Sequence, residues 1–175
     1  NGTTYVSWNW LASNTTASNT DGGITSTVSA STTSGFSIVS FTGTGSNATV
    51  GHGLGTAPSM VIIKRRDSAN DWRVGSDGLA NYTKHINLNT TAAESDLAAA
   101  FNSTAPTSSV FNVGTSISTN ASSGTFIAYC FASIKGFSKI GGNYKGNGDS
   151  DGPFVYLGFK PAVIIIKRID SSGNN

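Results

Sequence analysis

The amino-acid sequence predicts an all-β protein, built as an antiparallel β-sandwich with one short helix. Three observations carry that expectation. Only 11% of the 175 residues are charged, against roughly 25% in ordinary soluble domains. Gly, Ser, Thr and Asn fill the difference, and these favour turns and exposed strand faces over helices. The apolar residues fall in short β-branched and aromatic clusters separated by turn residues, the pattern of successive short strands. Finally, the chain repeats itself. Leu54-Gly55-Thr56-Ala57-Pro58 returns as Leu157-Gly158-Phe159-Lys160-Pro161, Ile62-Ile63-Lys64-Arg65 as Ile165-Ile166-Lys167-Arg168, and Asp67-Ser68 as Asp170-Ser171, each 103 residues later. A period of about 100 residues is too long for a solenoid repeat and suits one small β-domain.

The elements follow in order. In Tyr5-Val6-Ser7-Trp8-Asn9-Trp10 the residues Val6, Trp8 and Trp10 alternate with polar ones, which marks a half-buried strand with those three on the core side. Residues 12–34 are nearly all Ser, Thr, Asn, Gly and Ala and read as a linker, with one weak strand near Ile24–Val28. Phe36–Phe41 is a clear strand, Thr42–Asn47 a turn, and Ala48-Thr49-Val50 a return strand. Gly51-His52-Gly53-Leu54-Gly55 is a loop whose glycines tolerate positive φ. Pro58 suits the entrance to a strand. Met60-Val61-Ile62-Ile63 is continuously apolar and is expected to be buried on both faces, with Lys64-Arg65-Arg66 bringing it to the surface. Trp72-Arg73-Val74 and His85–Leu88 continue the strand pattern, with His85 facing out. Thr91-Ala92-Ala93-Glu94 has the form of a capping box heading a helix through Phe101. Val110–Val113 and Phe126–Phe131 close the set.

The repeat also divides the chain. Phe126–Phe131 is a looser copy of Tyr5–Trp10, and Gly35-Phe36-Ser37 returns as Gly136-Phe137-Ser138. The division is then a closing strand of a preceding module plus linker at 1–34, a complete module at 35–135, and the N-terminal part of a following module at 136–175. Such a partial module folds with a partner chain, with further sequence, or by borrowing the closing strand at the other end of the chain. The chain lacks an initial Met and reads as a piece of a longer protein.

Charge and cysteine content narrow the function classes. A net charge of +2 is too small to suggest a nucleic-acid partner through long-range electrostatics. No stretch approaches the ~18 apolar residues of a membrane-spanning helix. The single cysteine, Cys130, excludes an intrachain disulfide and reads as a small half-buried hydrophobe. No cofactor is expected.

Several residues carry possible chemistry. His52, in its glycine-rich loop, is a candidate base or ligand group, although no Asp, Ser or Cys partner is advertised by sequence. Asn147-Gly148-Asp149-Ser150-Asp151-Gly152 resembles the opening of a calcium loop, which makes Asp149 and Asp151 weak metal candidates. The closing bidentate carboxylate is missing. Lys64-Arg65-Arg66 and Lys167-Arg168 stand beside Asp67 and Asp170, which favours local pairing over phosphate recognition. Trp72, among Asn70, Asp71 and Arg73, is the best exposed aromatic for stacking on a sugar, with Arg73, Asn81, Tyr82 and His52 as further ligand-binding candidates. Seven Asn-x-Ser/Thr sequons occur, at Asn1, Asn14, Asn47, Asn81, Asn89, Asn102 and Asn120, a number in keeping with a chain so rich in these residues.

Tyr5–Trp10, the run from Gly51 to Pro58, Val61-Ile62-Ile63-Lys64, Phe126–Phe131 and Gly148–Tyr156 together resemble a repeated module of marine and cyanobacterial bacteriophage structural proteins. The resemblance implies a tail-fibre or adhesin-like module on the virion surface that presents loops to a host-surface glycan. Its partners would then be copies of itself, as a homotrimer, and other virion proteins. It transfers no catalytic or binding residue to this chain. A capsid-decorating protein is the alternative reading. A carbohydrate-active depolymerase is the remote one, since it needs two carboxylates ~5–10 Å apart in a groove.

Overall fold

The computed structural model describes residues 2–5, 7, 9–96 and 98–171. Ten strands and two four-residue helices build it. The strands are β1 (Ala17–Asn19), β2 (Ser26–Ser31), β3 (Phe36–Thr42), β4 (Ala48–Gly51), β5 (Met60–Arg65), β6 (Arg73–Ser76), β7 (Lys84–Asn87), β8 (Ser95–Asp96), β9 (Val110–Val113) and β10 (Thr125–Phe131). Helix α1 is Ala98–Phe101 and α2 is Ile117–Asn120. Eight strands form one antiparallel sheet in the order β1-β2-β3-β10-β5-β6-β7-β8, while β4 and β9 form a separate antiparallel ribbon.

Strand β10 sits between β3 and β5 over its whole length. Phe126 pairs with Phe41 and Arg65, Ala128 with Val39 and Ile63, and Cys130 with Ser37 and Val61. Alternation sends Phe126, Ala128 and Cys130 to one face, where they are buried, and Ile127, Tyr129 and Phe131 to the other, where they are half-buried. The ribbon lies across the inner face. Val50, Phe111 and Val113 join Val39, Phe41, Val61, Ile63 and Phe126 in one core, with Phe41 edge-on to Phe111 at 6.0 Å between centroids.

Polar side chains hold the two layers together where the backbone turns away from its ladders. Asn120, fully buried, donates from Nδ2 to the carbonyls of Gly114 (2.8 Å) and Ser46 (2.6 Å) and accepts from the Thr44 amide at 2.8 Å. Thr119 donates to the Ala100 carbonyl at 3.0 Å. Helix α2 starts at Ser116, whose hydroxyl accepts from the Ser118 amide.

Five expectations change. Residues 12–34 are not a linker: they supply β1 and β2, because Ile24 and Val28 reach the core and Ser26 donates to the Gly51 carbonyl at 2.9 Å. Strand β5 is not buried on both faces. Val61 and Ile63 point into the core, whereas Met60 and Ile62 lie half-buried on the outer face against Val74, Leu79 and Ile86. The capping box does not form. Glu94 binds Lys84 at 2.7 Å, and Ser95 and Asp96 pair with His85 and Lys84 as β8, leaving helix only from Ala98. A cross-strand cation here takes the carboxylate that local helix geometry requires. His85 does not face out; it is buried between β6 and β8.

The fifth concerns the repeat copies. Among the described residues of 2–10 there is no strand, and Val6 and Trp8 lie outside the described residues. Trp10 rests edge-on against Phe131 at 6.4 Å. The copies of β3 and β5 beyond Gly136 likewise form no strand among the described residues.

The double ladder predicts a focal point of stability. Phe126→Ala is expected to cost about 3–5 kcal/mol, the range for emptying a buried aromatic site, read as the loss of unfolding free energy in urea denaturation.

Candidate functional site

The five ligand-binding candidates are spread over the molecule rather than gathered. His52 is fully buried. Its Nδ1 accepts from the Leu54 amide at 3.2 Å, and its Nε2 lies 3.1 Å from the Thr107 carbonyl. Those partners fix a neutral ring with its proton on Nε2. Burial lowers its pKa, against weaker upward pulls from the Thr107 carbonyl and Asp21. This histidine clamps the loop after β4 to the 107–109 turn and reaches no solvent. Tyr82 is also buried, edge-on to Phe101 at 5.7 Å, and its hydroxyl donates to the Pro58 carbonyl at 3.1 Å. Burial pushes its hydroxyl far above the usual range. Gly75 makes room for it: a Cβ there would stand 2.7 Å from the Tyr82 ring and 2.8 Å from that of Phe101. Ala80, Asn81 and Tyr82 all take positive φ, so the turn rolls Tyr82 inward and leaves Asn81 exposed.

Trp72 and Arg73 are neighbours in sequence and part company at the sheet, because successive side chains leave opposite faces. Trp72 lies half-buried on the outer face. Its ring stacks on Tyr129 at 6.2 Å and 19°, with the Lys64 ammonium 6.0 Å from its centroid. Lys64 also donates to the Asn70 carbonyl. Phe36 continues this row, stacked on Tyr129 at 6.5 Å and tilted on Phe131 at 4.8 Å.

Arg73 points to the other face, into a polar cluster that the sequence did not advertise. Its Nη1 donates to Asn87 Oδ1 at 2.6 Å and meets His85 Nε2 at 2.7 Å. A guanidinium only donates, so His85 Nε2 accepts and the ring proton sits on Nδ1. Ser95 Oγ lies 3.3 Å from the same nitrogen. Burial, and then the Arg73 charge, lower the His85 pKa. Asn87 and Asn89 donate to the two oxygens of Asp71, each at 3.0 Å. Asn89 Oδ1 accepts from the Trp72 amide at 3.0 Å, and Asn70 Oδ1 accepts from Ser118 at 3.1 Å. Among the described residues, Arg73 Nε and His85 Nδ1 are buried without a hydrogen-bond partner, and Arg73 has no carboxylate ion pair. Ala69, Asn70, Asp71, Arg73 and Ser118 line an open depression of about 400 Å3 at this end of the sheet.

That arrangement presents a carboxylate, an amide, a hydroxyl and a guanidinium within one shallow hollow. It is suited to binding a ligand rich in hydroxyl or carboxylate groups. The only sequence signal was the cluster Asn70-Asp71-Trp72-Arg73. Its partners His85, Asn87, Asn89 and Ser118 arrive through pairing and the placement of α2.

The remaining candidates resolve locally. Asn147 Oδ1 accepts from the Asp149 amide, and Asp149 Oδ1 accepts from the Ser150 hydroxyl and the Asp151 amide. These bonds lower the Asp149 pKa and close an exposed turn. Among the described residues no three His, Cys, Asp or Glu side chains come together as metal ligands. Arg65 binds Asp67 and Arg168 binds Asp170, each at 2.7 Å, the same short pairing at both copies of the motif. Cys130 is fully buried, which raises its thiol pKa to about 12. Asn120, one of the sequon residues, is wholly committed inside the core.

The two buried neutral histidines predict acid lability. Their folded pKa values lie below the ordinary 6.5, so the unfolded chain binds protons first as the pH falls. Their contribution is complete above about pH 6.5 and is lost progressively below it. The urea midpoint is expected to fall between pH 7.5 and pH 5. His52→Gln should start lower and show a shallower decline.

No helix of the described residues is long and apolar enough to cross a membrane. Comparison with curated proteins finds no match, and neither does comparison with solved structures. One family model matches residues 1–175, so the chain belongs to the family described as Domain of unknown function (DUF7483).

Proposed function

We propose that this chain is a structural module of a bacteriophage virion, of the tail-fibre or adhesin kind, that offers a shallow polar site to host-surface glycans. The observation that carries the reading is the Asn70–Arg73 depression. It combines acceptors on Asp71 and Asn70, a hydroxyl on Ser118 and the Arg73 guanidinium. Sugars offer hydroxyls to the first three, and an acidic sugar offers a carboxylate to the last.

The weakly charged, Ser/Thr/Asn/Gly-rich composition, the resemblance to phage structural modules and the 103-residue recurrence support a surface role in a chain of tandem modules. Binding is the chemistry proposed, because the residues lining the depression offer hydrogen-bonding and charged groups. An open hollow gives modest affinity per site, which many copies on one particle convert into firm attachment.

The test is binding of the immobilised chain to purified host-surface polysaccharide. Asn70→Ala and Ser118→Ala are each expected to weaken binding about tenfold, the equivalent of one good hydrogen bond. Trp72→Ala, on the opposite face, should leave it within about twofold. Loss of binding with Trp72→Ala alone, in a folded variant, would move the site to the outer aromatic row. Unchanged binding in both depression variants would remove the depression from the reading.

A further inference from the structure

The Arg73 guanidinium borders the depression and is held there by two neutral acceptors. Its Nη1 donates to Asn87 Oδ1 at 2.6 Å and to His85 Nε2 at 2.7 Å. Asn87 is fixed in turn, because its Nδ2 donates to Asp71 at 3.0 Å. An amide does not titrate. An imidazole does, with an ordinary pKa near 6.5. One anchor of Arg73 is therefore indifferent to pH, and the other depends on it.

The charges around His85 are few. Arg73 meets it from β6, and from β8 the Ser95 hydroxyl lies 3.3 Å from the same Nε2. Lys84, next to it on β7, leaves the opposite face. That lysine is paired with Glu94 at 2.7 Å and has Asp96 opposite it in the β7–β8 register. Asp71 is linked to Arg73 through Asn87. Among the described residues no carboxylate forms an ion pair with His85 or Arg73. Burial, and then the Arg73 charge, hold His85 below its ordinary value against a weaker upward pull from the Ser95 backbone. The ring is thus neutral at neutral pH and takes its proton in acid.

Protonation turns Nε2 from acceptor into donor. Two donors and two like charges then stand 2.7 Å apart, in a setting where charges are less screened than in bulk water. One partner has to leave. His85 is buried between β6 and β8, whereas Arg73 is half-buried and borders open space. The guanidinium is the partner with room to move.

We propose that His85 is a positioning residue for Arg73: its neutral ring holds the guanidinium in the depression, and its protonation releases it. On the glycan reading above, on which this consequence rests, the site holds an acidic glycan at neutral pH and lets it go in acid. His85 does not line the depression, so its charge acts on the ligand through the displaced Arg73. Proton and ligand oppose one another, and such coupling is reciprocal.

NMR of the imidazole and guanidinium groups, from about pH 8 to about pH 4, tests the switch in the free protein. His85 should titrate below its ordinary value with the chain still folded. Exchange of the Arg73 guanidinium protons should accelerate across the same midpoint. Arg73→Gln should raise that midpoint, because the neighbouring cation is gone. Binding is read with an oligogalacturonate as the acidic-glycan probe. Affinity should fall about tenfold as His85 takes its proton. Saturating oligogalacturonate should in return lower the His85 midpoint by about one pH unit. His85→Gln, whose amide oxygen accepts without titrating, should bind about threefold more weakly at neutral pH and hold that level in acid. His85→Leu, with no acceptor to offer, should bind weakly throughout; a histidine that only packs would not separate these two variants. Arg73 exchange that ignores the His85 midpoint, unfolding before His85 titrates, or tighter binding in acid overturns the inference. So does a His85→Gln profile as steep as that of the unmodified chain. Release of Arg73 without oligogalacturonate binding at any pH upholds the switch and removes the glycan reading instead.

Discussion

The double pairing of β10 is the constraint on which the rest of the structure depends. Its inner row, Phe126, Ala128 and Cys130, lies in the core between Val39 and Phe41 on one side and Val61 and Ile63 on the other. The two small residues of that row stand among large neighbours, with the ribbon residues Val50, Phe111 and Val113 in the same cluster. Since β10 comes last among the strands, β3 and β5 gain their shared neighbour only after nearly the whole module is available. Pairings so distant in sequence carry a high loop-closure cost and fold slowly. They also tie stability to one element: without β10 the sheet divides into β1-β2-β3 and β5-β6-β7-β8.

The same alternation shapes the chemistry. Trp72 and Arg73 are consecutive, yet the pleat sends one to the aromatic row on Tyr129 and the other to the cluster of Asp71, His85 and Asn87. The two side chains therefore stand on different faces of the sheet. The outer row gains packing from stacked rings, worth roughly 0.5–1.5 kcal/mol per good pair. The inner cluster sets the half-buried Arg73 guanidinium against the buried His85 ring. Unpartnered polar atoms there are costly unless a ligand or water satisfies them.

Buried polar side chains specify how the layers join. Asn120 bridges the 44–46 turn and Gly114, and His52 joins the loop after β4 to the 107–109 turn. Each uses several bonding positions at once, so an alternative packing would strand donors and acceptors away from water. A thin core in a weakly charged chain gains uniqueness from such clamps as well as from its aromatic volume.

By itself the sequence determined the strand-rich class, the positions of β3, β5, β9 and β10, and the short Arg–Asp pairing at both motif copies. These depend on local alternation, on turn residues and on side chains two positions apart. Tertiary structure alone decided the rest. The Ser/Thr-rich stretch at 17–31 became two strands because β3 offered an edge and Ile24 and Val28 found the core. Glu94 left its capping box because Lys84 stood across the sheet. His52, Tyr82 and His85 turned inward because partners distant in sequence satisfied them or packed against them. The physical reason is the same in each case: periodicity records which residues are apolar, whereas burial and pairing depend on what another part of the chain brings alongside.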